Sequence, residues 1–183
     1  MERAKRPLLR LFPVLLLNLT AFGIAIPIIP ALAKELGGEG TAVGAIFALQ
    51  ALGQMLMAPV WGKLSDRAGR RAVLMATICG AAAIDVVTAL AGQLWVLMAV
   101  RFVAGLLAGN VATASALVSD ATDEGSRSKG MALIGICFGL GFTLGPGLGA
   151  LASFVAPDDP GLLGRGFPFL VSGVLNVVAA GLA

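Results

Sequence analysis

Long apolar runs separated by short polar breaks make up almost the whole chain, and each run is close to the length of a membrane crossing. A spanning helix needs about 20 mostly apolar residues, and six stretches meet or approach that length: roughly 8–32, 41–61, 73–91, 95–119, 130–154 and 167–183. The breaks fall at 34–40, 62–71, 92–94, 120–129 and 156–166. None of the runs has the ten-residue alternating pattern and aromatic girdles of a membrane barrel. The pattern predicts an all-α membrane protein with six transmembrane helices.

Composition points the same way. The chain is 58% hydrophobic, where soluble proteins average roughly 45–50%, and its mean hydropathy is +0.94. The 25 glycines, with few aromatics and no tyrosine, suit helices that meet through small side chains, because apolar burial gives helices no net drive to associate inside lipid.

Charge then orients the bundle. Only 13% of residues are charged, and the densest group lies in Gly62-Lys63-Leu64-Ser65-Asp66-Arg67-Ala68-Gly69-Arg70-Arg71, between the second and third runs. Such a cluster must sit at water, and the retention of Lys and Arg on the cytoplasmic side places it there. Counting outward, Arg3, Lys5, Arg6, Arg10, Lys63, Arg67, Arg70, Arg71, Arg127 and Lys129 all fall on that side. Only Lys34 and Arg165 fall on the other, and Arg101 lies within a run. The expectation is a multi-pass protein of the inner (plasma) membrane with a cytoplasmic N-terminus. The N-terminal bases precede a run that lacks a small-residue cleavage site and continues into Pro27 and Pro30, so it reads as a first membrane helix rather than a signal peptide.

The same distribution argues against nucleic acid as a partner, since the net charge of +3 follows topology rather than a surface patch. Cys79 and Cys137 lie inside apolar runs and the chain has no histidine, so neither a disulfide framework nor a metal site is expected. No nucleophile or base constellation suggests an enzyme.

Two features lie inside the membrane. Ala58-Pro59-Val60-Trp61-Gly62 in the second run and Gly145-Pro146-Gly147-Leu148-Gly149 in the fifth share a small-Pro-x-x-Gly pattern. Each is second in a triplet, and the triplets run in opposite directions, which suggests two inverted three-helix repeats. Asp85 and Arg101 are intramembrane charges, costly and therefore candidates for function. At ~1.5 Å per residue both lie about 9 Å from the outer boundary on consecutive helices, so they can pair. The pair is either a site that takes up a proton or a static ion pair.

Gly62-x-x-x-Asp66-Arg67-x-Gly69-Arg70-Arg71, Arg101-x-x-x-Gly105-x-x-x-Gly109, Gly141-x-x-x-Gly145-Pro146-x-x-Gly149 and Gly23-x-x-x-Pro27-x-x-Pro30 together resemble the motifs of the major facilitator superfamily, in its order. The run from Gly44 to Gly149 is most similar to the tetracycline and multidrug efflux branch of drug/proton antiporters. Members have twelve helices in two six-helix halves, so the resemblance implies the N-terminal half of such a fold. The last helix runs to Ala183 without a charged or aromatic anchor, so the chain is also expected to be half of a larger protein, a truncation or an engineered piece.

The resemblance implies roles. Gly62, Asp66, Arg67, Gly69, Arg70 and Arg71 would form a conformational latch, with Gly62 admitting a neighbouring helix, Asp66 capping or attracting a helix N-terminus, and Arg70 or Arg71 pairing with Asp120. The alternative is that these bases anchor topology only. Gly141, Gly145, Pro146 and Gly149 would bend the fifth helix to seal the pathway, or serve ordinary close packing. Related efflux proteins carry an acid at the position of Asp85, whereas many related antiporters have an aspartate where this chain has Asn18. Asn18, Gln54 and Asn110 can offer hydrogen bonds to a solute at mid-depth, or each can bond a neighbouring helix.

These readings converge on the N-terminal half of a proton-coupled efflux antiporter for small amphipathic molecules, working by alternating access. It would need no cofactor beyond the proton gradient, and its partners would be lipid, a small-molecule substrate and a missing C-terminal half, a second copy or another membrane complex. The alternatives are a non-transporting six-helix scaffold or assembly subunit, or a half-size transporter that homodimerises.

Overall fold

The computed structural model describes the backbone of residues 2–157 and 164–183, and the side chains of these from residue 11 onward except at 121, 124 and 126. Expectations resting on the side chains of Arg3, Lys5, Arg6 and Arg10, and on most of the 156–166 connector, lie outside the described residues. Seven helices are described: α1 (Glu2–Glu35), α2 (Gly40–Ala68), α3 (Arg70–Ala89), α4 (Leu94–Leu107), α5 (Asn110–Ala121), α6 (Glu124–Val155) and α7 (Phe167–Leu182).

Five helical stretches are long and apolar enough to cross a membrane: Leu11–Glu35, Gly40–Ala68, Arg70–Ala89, Leu94–Asp120 and Arg127–Val155. The sixth, Phe167–Leu182, is equally apolar but shorter at 16 residues. The protein is therefore a multi-pass, all-α membrane protein. Two boundaries differ from expectation. The fourth crossing, expected as one helix over 95–119, is broken at Ala108–Gly109 into α4 and α5. The charged segment 62–71, expected as a connector, is almost entirely helical: α2 continues to Ala68 and α3 begins at Arg70. Only Gly69 separates them, at φ +95, a backbone region that residues with a Cβ rarely adopt.

Packing carries the repeat. The broadest helix contacts are α1 with α6, α2 with α4, and α3 with α7. In units of membrane crossings these are first with fifth, second with fourth, and third with sixth. Exchanging the two triplets swaps the first two pairs and returns the third to itself, which is the contact pattern inverted repeats require. The two interchanged seams are built alike. A Cβ on Gly145 would stand 2.6 Å from the backbone of Gly23, and one on Gly141 would stand 2.8 Å from that of Leu19. On the other seam, a Cβ on Gly105 would stand 2.0 Å from the Gln50 carbonyl and one on Gly53 would stand 2.5 Å from that of Phe102. Helices approach this closely in lipid only where side chains are absent.

The seam predicts a contrast between neighbouring glycines of α6. Gly145→Ala forces α1 and α6 apart and is expected to cost about 1–3 kcal/mol, read as a lowered thermal midpoint of the chain in detergent. Gly147→Ala, where a Cβ meets nothing within 4 Å, should leave the midpoint unchanged or slightly raised. Equal losses at both positions would contradict the seam.

Candidate functional site: a buried polar cluster and a charged helix junction

Midway along the bundle, polar side chains from four helices converge. Asn110, the first residue of α5, donates from Nδ2 to Asn18 Oδ1 on α1. Asn18 Nδ2 donates to Asn176 Oδ1 on α7 at 2.7 Å, and Asn176 Nδ2 donates to Asp85 Oδ2 on α3 at 2.9 Å. Ser172, one helical turn before Asn176 and so on the same face of α7, lies 2.6 Å from the same carboxyl oxygen. Most of the cluster is buried: Asn18 and Asn176 are 3% exposed, Asp85 7% and Ser172 1%, while Asn110 is half-buried. These residues line a cavity of about 70 Å³ together with Gln50, Thr77 and Arg101.

Ser172 Oγ also lies 3.0 Å from the Ala21 carbonyl of α1. A hydroxyl has one hydrogen and here two acceptors. With Asp85 ionised, that hydrogen goes to the carboxylate. With Asp85 neutral, the carboxyl O–H donates to Ser172, which passes its own hydrogen to Ala21. The geometry serves either protonation state without stranding a polar atom.

Arg101, 3% exposed, lines the same cavity but is not bonded to Asp85, and the expected ion pair is not formed. Its Nη2 donates to Thr88 Oγ1 and its guanidinium carbon stands 5.5 Å from the centre of the Phe169 ring, a cation–π contact. Matching depth brought the two residues to one cavity, while rotation about the helix axes gave Asp85 to α7. The Nε of Arg101 and the Oε1 of Gln50 have no partner among the described residues. Gln54, expected in the cavity, is exposed, and Gln50, one turn earlier on α2, takes its place.

Beside the cluster lies the break in the fourth crossing. Gly109 N–H turns back to the Leu107 carbonyl at 2.9 Å, and the Leu106 carbonyl accepts the indole N–H of Trp61 at 2.7 Å. A Cβ on Gly109 would stand 2.6 Å from the Trp61 ring, so the indole is seated directly on the break. It supplies a donor where the helix no longer does, a condition for irregular backbone at membrane depth.

At the α2–α3 junction a single guanidinium gathers three groups. Arg70 lies 2.7 Å from Asp66 and 3.0 Å from Asp120 at the end of α5, and it donates to Ser65 Oγ at 2.6 Å. Ser65, only 2% exposed, donates in turn to the Gly62 carbonyl at 2.8 Å. Of the two candidate arginines it is Arg70 that reaches Asp120, and Arg67 and Arg71 point to solvent. Asp66 does not cap α3, which has no side-chain cap, and a Cβ on Gly62 would meet nothing within 4 Å, so no described helix approaches there. Gly141, Gly145 and Gly149 all face α1, while α6 continues through Pro146 to Val155.

Ser65, Gln50, Thr88, Ser172 and Asn176 were not anticipated as part of these sites. Ser172 and Asn176 did leave a signal, two polar residues one turn apart in an otherwise apolar 16-residue helix.

Comparison with known proteins follows the same lines. The tetracycline resistance protein, class G, of Vibrio anguillarum is 38% identical over 162 residues, covering 85% of this chain and 41% of the relative. The class B protein of Escherichia coli is 33% identical over 168 residues, covering 90% and 40%. The chain thus spans about two fifths of the length of these relatives. The crystal structure of the human organic anion transporter MFSD10 (TETRAN) matches with a TM-score of 0.83 at 27% identity, over 98% of this chain and 46% of that one. The family model described as Major Facilitator Superfamily matches residues 11–183, which takes in both glycine seams, the polar cluster and the Arg70 junction, and the chain belongs to that superfamily.

Proposed function

We propose that the chain is the N-terminal half of a secondary active transporter that exports small amphipathic molecules by alternating access, driven by protons entering through Asp85. The observation that carries this reading is the setting of that carboxyl. It is buried among Ser172, Asn176 and the Ala21 carbonyl, a partner set equally able to hold it charged or neutral. A buried charge whose partners fit only one state is fixed in that state; this one is free to load and unload a proton. Loading reverses the hydrogen bond between Asp85 and Ser172 and sends the Ser172 hydrogen to the Ala21 carbonyl of α1, so that protonation changes how α7 is joined to both helices.

Substrate would lie against Asn18, Asn110 and Gln50, between this half and a second six-helix half. The names of its relatives, tetracycline resistance proteins and an organic anion transporter, favour a small organic molecule. No cofactor is required, because the gradient across the inner membrane supplies the energy. The N-terminus and the Arg70 junction would face the cytoplasm, where the ion pairs hold one conformation closed. Arg70 is 27% exposed and its acids 62% and 60%, and exposed pairs are worth only about 0.2–1 kcal/mol each. A clasp of that strength holds a conformation and still releases it.

Two measurements test this. In everted membrane vesicles carrying the full-length protein, lumen acidification should drive tetracycline accumulation. Asp85→Asn should abolish accumulation while gradient-independent exchange of labelled tetracycline persists. Accumulation unchanged in Asp85→Asn would contradict the assignment of the proton, and no transport by the unmodified protein would favour a membrane scaffold. Arg70→Ala should stop transport yet lower stability in detergent by at most about 2 kcal/mol, a loss that shrinks in high salt as exposed charges are screened. A larger, salt-insensitive loss would mark Arg70 as a structural anchor instead.

A further inference from the structure

The bonds of the polar cluster all run one way. From Asn110 to Asn18, from Asn18 to Asn176 and from Asn176 to Asp85, each amide donates towards the carboxyl and accepts from behind. One end of this chain is therefore an ionisable group. The other is the first residue of α5, immediately after the break on which Trp61 is seated. We propose that the three asparagines relay the protonation state of Asp85 to the broken fourth crossing, which makes Asn176 and Asn18 positioning residues for proton coupling.

The relay follows from the strength of the last bond. A hydrogen bond to an ionised acceptor is roughly twice as strong as a neutral one, and bonds in a chain polarise one another, more so in a low-dielectric interior. An ionised Asp85 draws Asn176 towards α3 and holds all three amides aligned. A neutral Asp85 turns its proton to Ser172, and the pull on the chain falls. Asn110 opens α5 directly after the Ala108–Gly109 break, outside the hydrogen-bonded run of α4. Displacement there alters the seat of the indole on Gly109 and its bond to Leu106.

The surroundings leave Asp85 in control of the chain. Around it stand Ser172 and Asn176 of α7, Asn18 and the Ala21 carbonyl of α1, Asn110 of α5, Gln50 of α2 and Arg101 of α4. Arg101 is the other charged side chain on that wall and is held by Thr88 and Phe169. The proposal rests on the reading of Asp85 as the proton site and adds the route by which its state reaches a distant helix.

The chain carries its own reporter. It has 2 tryptophans, so Trp95→Phe leaves Trp61 alone to fluoresce. In the purified chain with that background, Trp61 emission should shift as pH falls. The transition should vanish in Asp85→Asn, vanish or move in Asn176→Leu and in Asn18→Leu, and persist in Gln54→Leu, with the thermal melt of each variant confirming that it is folded. Either asparagine variant, if folded, suffices to test the chain. A transition abolished by Asp85→Asn but unchanged in the asparagine variants overturns the relay and leaves Asp85 as the proton site. One that survives Asp85→Asn overturns both, and the absence of any transition overturns the relay whatever Asp85 does.

Discussion

Lipid offers no hydrogen bonds, so each polar group within a membrane bundle must find its partner in the protein. Among the described residues, buried side-chain polar atoms other than Arg101 Nε and Gln50 Oε1 meet the requirement, chiefly in two ways. The hydroxyls of Thr20, Thr113 and Thr143 fold back onto carbonyls of the preceding turn, at Leu16, Gly109 and Gly139, and ask nothing of neighbouring helices. The groups too large for that, Asn18, Asp85, Asn110 and Asn176, bond across helices and must therefore be brought together. Their convergence fixes how α1, α3, α5 and α7 are arranged.

The remaining contacts have another character. The seams of α1 with α6 and α2 with α4 are glycine on backbone, dry and with no room to shift. Apolar packing of this kind either fits or does not. The polar joint can be remade at Ser172, whose hydroxyl has two acceptors within reach. The bundle thus combines two rigid two-helix ribs with one adjustable joint at its centre, while the Arg70 clasp sits at one end. The inverted repeat is visible here too. The bonds Asn18–Asn110 and Asp85–Asn176 each link a pair of crossings, first with fourth and third with sixth, that the repeat exchanges. Asp85 is the single carboxyl of the set, and the Asn18–Asn176 bond joins the two pairs.

Much of this could be read from residue order. Run length and charge located the crossings, because hydrophobic thickness and water access act on each segment separately. The Arg70–Asp120 contact joins helix ends on one face, and ends can be counted. Azimuth is another matter. Asp85 and Arg101 were matched in depth, yet they turn to different partners, and Gln54 was expected in the cavity where Gln50, one turn earlier on α2, stands instead. The break at Ala108–Gly109 was missed for a related reason. Its cause, the Trp61 ring seated on Gly109 with its N–H on Leu106, comes from a helix almost fifty residues away, and nothing local to 108–109 except the glycine announces it.

At the centre of the account is a carboxyl in the middle of a bundle that exists in both its charged and neutral forms. Infrared difference spectroscopy of the chain in lipid, recorded between neutral and acidic pH, observes that group directly. The account predicts a protonated-carboxyl stretching band that appears on acidification, shifts in Ser172→Ala and is missing from Asp85→Asn. A spectrum in which the Asp85→Asn protein shows the same band as the unmodified one would contradict it, as would the absence of any protonated-carboxyl band at every pH at which the chain remains folded.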